Sequence, residues 1–348
     1  MTELYASKRK ATGKSPLPYQ DHFPRLTLSA IFLSMTSPSL AVVIPAYRVA
    51  SLIAGVIARI PPEVRHIVVV DDASPDDLQA VLQTMTDPRL LVVRHPENRG
   101  VGGAMKTGFA TALELRADIL IKIDGDGQMD PALIPQFVQP LLAGAADFAK
   151  GNRFADLAVI RRMPLVRRSG NLALSFLVKM ASGYWGVFDP CNGYLALRAE
   201  LVRGLDFQRI DERYFFEISL SCEAYFAQAI LRDIPMAPVY GEETSSLSPL
   251  ASVKEFAPRL IGRALYRLFM SYFMRDFNVI SVFLTVGVPA LLFGVVWSLY
   301  YWVRSIRTQE LTSTGTVMIG VLAIVLGFQL LLQAIALDVE NEPGRRRR

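Results

Sequence analysis

Ile119-Leu120-Ile121-Lys122-Ile123-Asp124-Gly125-Asp126-Gly127-Gln128 joins a short apolar run to two acids separated by one residue. A run of this length suits a strand buried on both faces, and the break into Asp-Gly-Asp sets two hard oxygen donors at its C-terminal end. Mg2+ or Mn2+ favours such donors and completes its shell with substrate phosphates, so Asp124 and Asp126 are the candidate metal ligands. An isolated Asp-x-Asp also marks ordinary turns, and the setting has to decide. Residues 41–44, 67–70 and 90–93 repeat the apolar strand pattern, with helical stretches between them at 50–60, 78–85 and 102–115. That alternation specifies an open, Rossmann-like α/β sheet, in which ligands bind beyond the C-terminal strand ends.

Other strand ends carry polar candidates. Pro45-Ala46-Tyr47 closes the first run, where the tyrosine ring can stack on a base. Asp71-Asp72-Ala73-Ser74-Pro75-Asp76 closes the second; Asp72 and Ser74 suit either hydrogen bonds to a nucleoside or caps for the helix at Leu78. Gly100-Val101-Gly102-Gly103-Ala104-Met105-Lys106 has the wrong order for a P-loop and the wrong place for a dinucleotide fingerprint. It reads as a glycine-rich helix start open to close approach of a ligand, with Lys106 as a phosphate partner. Arg153, in Gly151-Asn152-Arg153-Phe154, suits a diphosphate or a surface ion pair. Asp189, before Pro190, suits a turn or a site acid, and Glu217 falls within a helix-like stretch over 215–231.

The 348 residues carry 37 Lys and Arg against 32 Asp and Glu, and 51% are apolar, which excludes a disordered chain. Two cysteines and three histidines leave little for a disulfide framework or a zinc site. Basic residues are matched by acids through most of the chain, arguing against a nucleic-acid partner. They outnumber acids over 254–275 and at Arg345-Arg346-Arg347-Arg348, which flank uncharged stretches at 277–303 and 311–337. Each stretch exceeds the roughly 20 residues that span a bilayer. The flanking charge points to membrane lipids as partners and puts both ends of the hairpin in the cytoplasm, with Arg304 and Arg307 in the short connection opposing that orientation. Over 253–274, Arg259, Arg263 and Arg267 fall on one face with apolar residues on the other. That pattern suits a helix in the membrane interface, its arginines snorkelling to phosphates. Residues 1–38 form a flexible lead-in that imitates a secretory signal without a cleavage site. A translation start at Met35 is an alternative.

As an ordered set, Val43-Ile44-Pro45-Ala46-Tyr47, residues 69–76, residues 98–104, Asp124-Gly125-Asp126-Gly127-Gln128, residues 151–154 and residues 189–194 resemble family 2 glycosyltransferases of the GT-A fold. Followed by two C-terminal spans, they are similar to the dolichol/polyprenyl-phosphate sugar synthases. The resemblance implies that Pro45, Tyr47 and Asp72 hold the nucleotide, that Asp124 and Asp126 hold the metal on its diphosphate, and that Arg153 lies near phosphates. Gln128 and Asp189 would sit near the sugar and reaction centre. Arg48-Val49 departs from the family's Asn-Glu after the tyrosine, and Gly241–Ser246 departs from the pattern of the mannosyl enzymes.

The expected protein has a GT-A catalytic domain at 39–248, an amphipathic interfacial region at 249–276, membrane helices at 277–303 and 311–337, and a basic cytoplasmic tail at 338–348. It would be a metal-dependent, inverting enzyme moving a sugar from a nucleotide-sugar to a polyprenyl phosphate. Ser74 and Lys106 join the donor site; Asp189, Glu217 and Gln128 are the catalytic candidates; Arg259, Arg263 and Arg267 meet the lipid phosphate. A polysaccharide synthase and a catalytically silent membrane scaffold are the alternatives. Oligomeric state is open, a homo-oligomer included.

Overall fold

The computed structural model describes residues 38–154, 165–237 and 249–345, and side chains within 165–171 and 249–255 are outside the description. The lead-in, the Gly241–Ser246 segment and the last three arginines therefore lie outside the described residues.

Seven strands form one sheet: β1 Leu40–Ala46, β2 Val64–Asp71, β3 Leu90–Arg94, β4 Ile119–Lys122, β5 Phe148–Asn152, β6 Leu195–Arg198 and β7 Leu231–Pro235. Their order is β3-β2-β1-β4-β6-β5-β7. The first four are mutually parallel, β6 runs antiparallel between β4 and β5, and β7 is parallel to β5. The sheet is apolar on both sides because successive side chains point to opposite faces. Val42 and Ile44 join one core layer, under helices α1 Ile53–Ala58, α2 Leu78–Thr84 and α4 Ile134–Leu142. Ala41 and Val43 join the other, under α3 Gly100–Glu114 and α7 Phe216–Phe226. Helices α5 Leu165–Ser182 and α6 Ala199–Arg203 complete the catalytic part.

The four expected strands are all present. Strands β5 and β7 escaped the sequence reading, and the helix expected over 215–231 stops at Phe226, leaving Leu231 to open β7. The helix ends where Gln228 takes a left-handed conformation, φ 57°, which interrupts the hydrogen-bond ladder.

Helix α8 Pro249–Phe269 continues through a π-helical turn, Met270–Arg275, to a hairpin of α9 Val279–Thr308 and α10 Thr314–Glu340. Both hairpin helices are long and apolar enough to cross a membrane. Their limits differ from 277–303 and 311–337 because caps set them: Asn278 and Ser281 form a reciprocal capping box, and Ser313 accepts from the Thr316 amide. Arg304 and Arg307 therefore belong to the last turns of α9, not to the connection. Gly287, Gly294, Gly320 and Gly327 are buried along the seam, where the absent side chains let the two backbones meet.

Candidate active site

Strand β4 ends beside the antiparallel β6, and both Lys122 of β4 and Lys150 of β5 pair in register with Leu195. Three strand ends thus meet at one edge, with the 189–194 segment entering across them. Lys122 is 1% exposed, and its ammonium lies 2.5 Å from Asp124 Oδ1, 3.2 Å from the Gly193 carbonyl and 3.3 Å from Glu217 Oε1. Burial alone would lower its pKa, but Asp124 and Glu217 outweigh that and hold it raised, so the group is a cation. Glu217, in the first turn of α7, is thereby brought close to Asp124 despite the long sequence separation. Asp126 accepts from the Gln128 amide at 2.9 Å, and Gly127, at φ 76°, lets the backbone turn there. Gly193 needs its missing side chain: a Cβ would stand 2.8 Å from Asp124 Oδ2. Asp124 and Asp126 supply hard carboxylate oxygens on a partly exposed strand end, a donor chemistry that fits Mg2+ or Mn2+. Among the described residues no group of three or more His, Cys, Asp or Glu side chains could hold a metal, so a cation here would take its other ligands from substrate and water.

Arg153 and Asp189, expected as separate participants, form one bidentate pair, with Nε 2.7 Å from Oδ2 and Nη2 3.0 Å from Oδ1. Asn192 also donates to Asp189 Oδ2, and Lys150 donates to the Asn192 carbonyl. Asp189 is therefore fully engaged by protein donors. Asp233 of β7 lies behind this pair. Its Oδ2 accepts from the Asn152 side chain at 3.0 Å and the Phe188 amide at 2.9 Å, while Oδ1 is buried without a partner. Burial pushes its carboxyl up to about 6.

On the β1–β2 side, Tyr47 is 41% exposed and Pro45 half-buried at the C-terminal end of β1. Asp72 differs from expectation. It is 3% exposed, with Oδ1 taken by His95 and the Arg99 amide and Oδ2 by the Gly100 amide, so its contacts fasten the glycine loop. Ser74 accepts from the Arg48 amide at 2.7 Å and donates to Asp76, tying the first two loops together. The glycine-rich start of α3 also has another occupant. Gly102 and Gly103 donate to the Glu212 carbonyl, and a Cβ on Gly102 would stand 2.8 Å from Glu212 Cα. The chain's own backbone makes the close approach expected of a ligand, and Lys106 lies 3.5 Å from Glu212 Oε1.

The family described as Glycosyl transferase family 2 matches residues 41–205. Polyprenol monophosphomannose synthase of Mycolicibacterium smegmatis is 31% identical, the alignment covering 53% of this chain and 71% of that protein. The chain belongs to glycosyltransferase family 2. UDP-N-acetylglucosamine--dolichyl-phosphate N-acetylglucosaminyltransferase of Methanococcus voltae is 29% identical over 52% of this chain and 77% of its own length. These relatives place the glycosyltransferase with the dolichol/polyprenyl-phosphate sugar synthase group. Its fold is shared with glucosyl-3-phosphoglycerate synthase from Mycobacterium tuberculosis in complex with UDP, at 22% identity and a TM-score of 0.50 over 70% of this chain and 86% of that one.

The arginine face of α8 in this glycosyltransferase turns toward the protein. Arg259 reaches Asp211 at 3.4 Å, and Arg263 binds Glu223 at 3.0 Å and the Arg209 carbonyl. Arg267 is 1% exposed and makes a bidentate pair with Asp338 near the end of α10, both contacts at 2.8 Å. Arg267 is therefore committed to the hairpin and not available to a lipid phosphate. Ile261, Leu265 and Phe269 face outward instead. Lys122, Lys150, Asp233 and Glu223 were missed as site residues; the signal for the lysines was a cation inside an otherwise apolar strand, which has to find an acid partner.

Proposed function

We propose that this glycosyltransferase moves a sugar from a nucleotide-sugar to a polyprenyl phosphate, with inversion, at the cytoplasmic membrane face. The observation that carries the reading is the tie between hairpin and catalytic part at Asp338, which pairs with Arg267 of α8 and accepts from the Trp185 indole, so that two helices able to cross a membrane are packed against the domain that holds the candidate site. The named relatives act on lipid phosphates, in support of the same acceptor class.

Asp124 and Asp126 are the proposed ligands of Mg2+ or Mn2+, which when bound would neutralise charge on the departing diphosphate. Tyr47 would stack on the base, with Pro45 shaping the strand end beneath it. Gln128, on the loop just after the two acids, is proposed to face the sugar. The acceptor oxygen forms a bond to the anomeric carbon as the bond from that carbon to the diphosphate oxygen breaks. A phosphate monoester, with a second pKa of about 6, is already mostly dianionic near neutrality and needs no strong base. Asp189, engaged by Arg153 and Asn192, then serves to hold Arg153 near the phosphates, and Glu217 to orient the acceptor. Arg259 and Arg263, which share a groove with Arg209 and Tyr266, are proposed to meet the lipid phosphate.

Purified enzyme in detergent, given a panel of nucleotide-sugars with a polyprenyl phosphate and Mn2+, should form a lipid-linked sugar with one donor. Asp124→Asn and Asp126→Asn should each lower turnover by on the order of 100-fold or more with unchanged circular dichroism. No lipid product with any donor, or full turnover in both variants, rejects the reading.

A further inference from the structure

A fully buried lysine in a central strand requires an explanation, since an apolar side chain would fill the same space without desolvating a charge. Lys122 has three N–H donors and meets three oxygens, one each from the turn after β4, from α7 and from the segment entering β6. Its two carboxylate contacts mean that Asp124 and Glu217 lie no farther apart than those contacts laid end to end. Two carboxylates that close would both be drawn to a divalent cation beside Asp124, because carboxylate oxygen is the ligand such ions prefer.

We propose that Lys122 is a positioning residue that restrains Glu217 and one oxygen of Asp124, keeping Glu217 out of the metal shell. This rests on the reading of Asp124 and Asp126 as metal ligands. The ammonium acts as a fixed counter-charge: it satisfies Glu217 so that the acid stays where α7 sets it, and it leaves the cation two protein carboxylates, not three. Lys150 is the internal comparison. It sits at the same register level and also grips the entering segment, through the Asn192 carbonyl, but it donates no hydrogen bond to either acid.

The test is Mn2+ titration of the full chain in detergent, followed by electron paramagnetic resonance, on wild type, Lys122→Met, Glu217→Gln, the double variant, Lys150→Met and Asp124→Asn. Lys122→Met should bind Mn2+ more tightly, by on the order of tenfold, while its turnover falls by on the order of 100-fold. Adding Glu217→Gln should return Mn2+ affinity to about the wild-type value, and Lys150→Met, which removes a cation that has no direct contact with Glu217, should tighten it less than Lys122→Met does. Tighter metal with slower chemistry is a split that general loosening of the site does not produce. Lys122→Gln, which keeps a donor for Gly193, is the second variant if Lys122→Met does not fold. Mn2+ binding no tighter than wild type in the folded Lys122 variant, or tightening that survives Glu217→Gln, overturns the inference alone. Wild-type Mn2+ binding that is insensitive to Asp124→Asn overturns the metal reading and this inference with it.

Discussion

Asp233 shows how one side chain can organise a site without touching a substrate. It holds Asn152, which precedes Arg153, and Phe188, which precedes Asp189, so both halves of the ion pair hang from one carboxylate. Its carboxyl rises from the ordinary 3.8 to about 6 through burial, partly offset by the Phe188 amide and Lys150. An acid with a raised folded-state pKa binds its proton more tightly when folded. Its favourable contribution is therefore present below the unfolded value and lost as pH rises through about 6. Asp233→Asn should match wild-type thermal stability at pH 4 and exceed it at pH 8, by about 3 kcal/mol at most. Melting curves in detergent at the two pH values check this, and an advantage confined to acid would contradict it. Asp72 carries a different lesson: an acid at a strand end was legible as a candidate, but whether its oxygens face a ligand or a loop depends on where His95, Arg99 and Gly100 fold back.

Helix α8 was legible as amphipathic, yet which face packs against the protein was not. A row of arginines four residues apart reads as a solvent or headgroup face when the partners are unknown. Here Asp211, Glu223 and Asp338 come from distant segments to meet it, and the apolar face is left outward. The hairpin is the converse case, since its length and composition fixed it before any contact was seen. What sequence did not reveal was its close seam. A Cβ at Gly294 would stand 2.7 Å from the Ile324 amide nitrogen, and one at Gly327 2.5 Å from that of Leu291. Gly294→Leu or Gly327→Leu should separate the helices and lower stability by about 1–3 kcal/mol, whereas Gly315→Leu, with nothing within 4 Å, should be near neutral. Protease resistance and unfolding in detergent would measure the difference.

Catalytic part, α8 and hairpin are joined at one buried cluster. Asp338 accepts from Arg267, from Tyr272 and from the Trp185 indole at 2.9 Å, and Glu342 accepts from the Gly186 amide at 3.2 Å. A buried pair broken on one side leaves an uncompensated charge, so Arg267→Met should destabilise by roughly 3–5 kcal/mol. Arg267→Met with Asp338→Leu should recover much of that loss, because no charge is left buried. If the double variant is as unstable as the single, the ion pair is not what holds the parts together. Under the proposed function, lipid-acceptor turnover should fall in the single variant even where donor binding persists.

The parallel strands, the Asp124-Gly125-Asp126 turn and the two spans were determined locally: each is written in consecutive residues whose hydrophobicity or chemistry has one economical structural solution. Partnership was decided only in three dimensions. Whether Arg153 meets a phosphate or Asp189, whether glycines receive a ligand or Glu212, and whether Lys122 is stranded or shared depends on segments far apart in the chain. A charged side chain's role is set by the nearest opposite charge and by the water excluded around it, and neither quantity is a property of neighbouring residues in sequence.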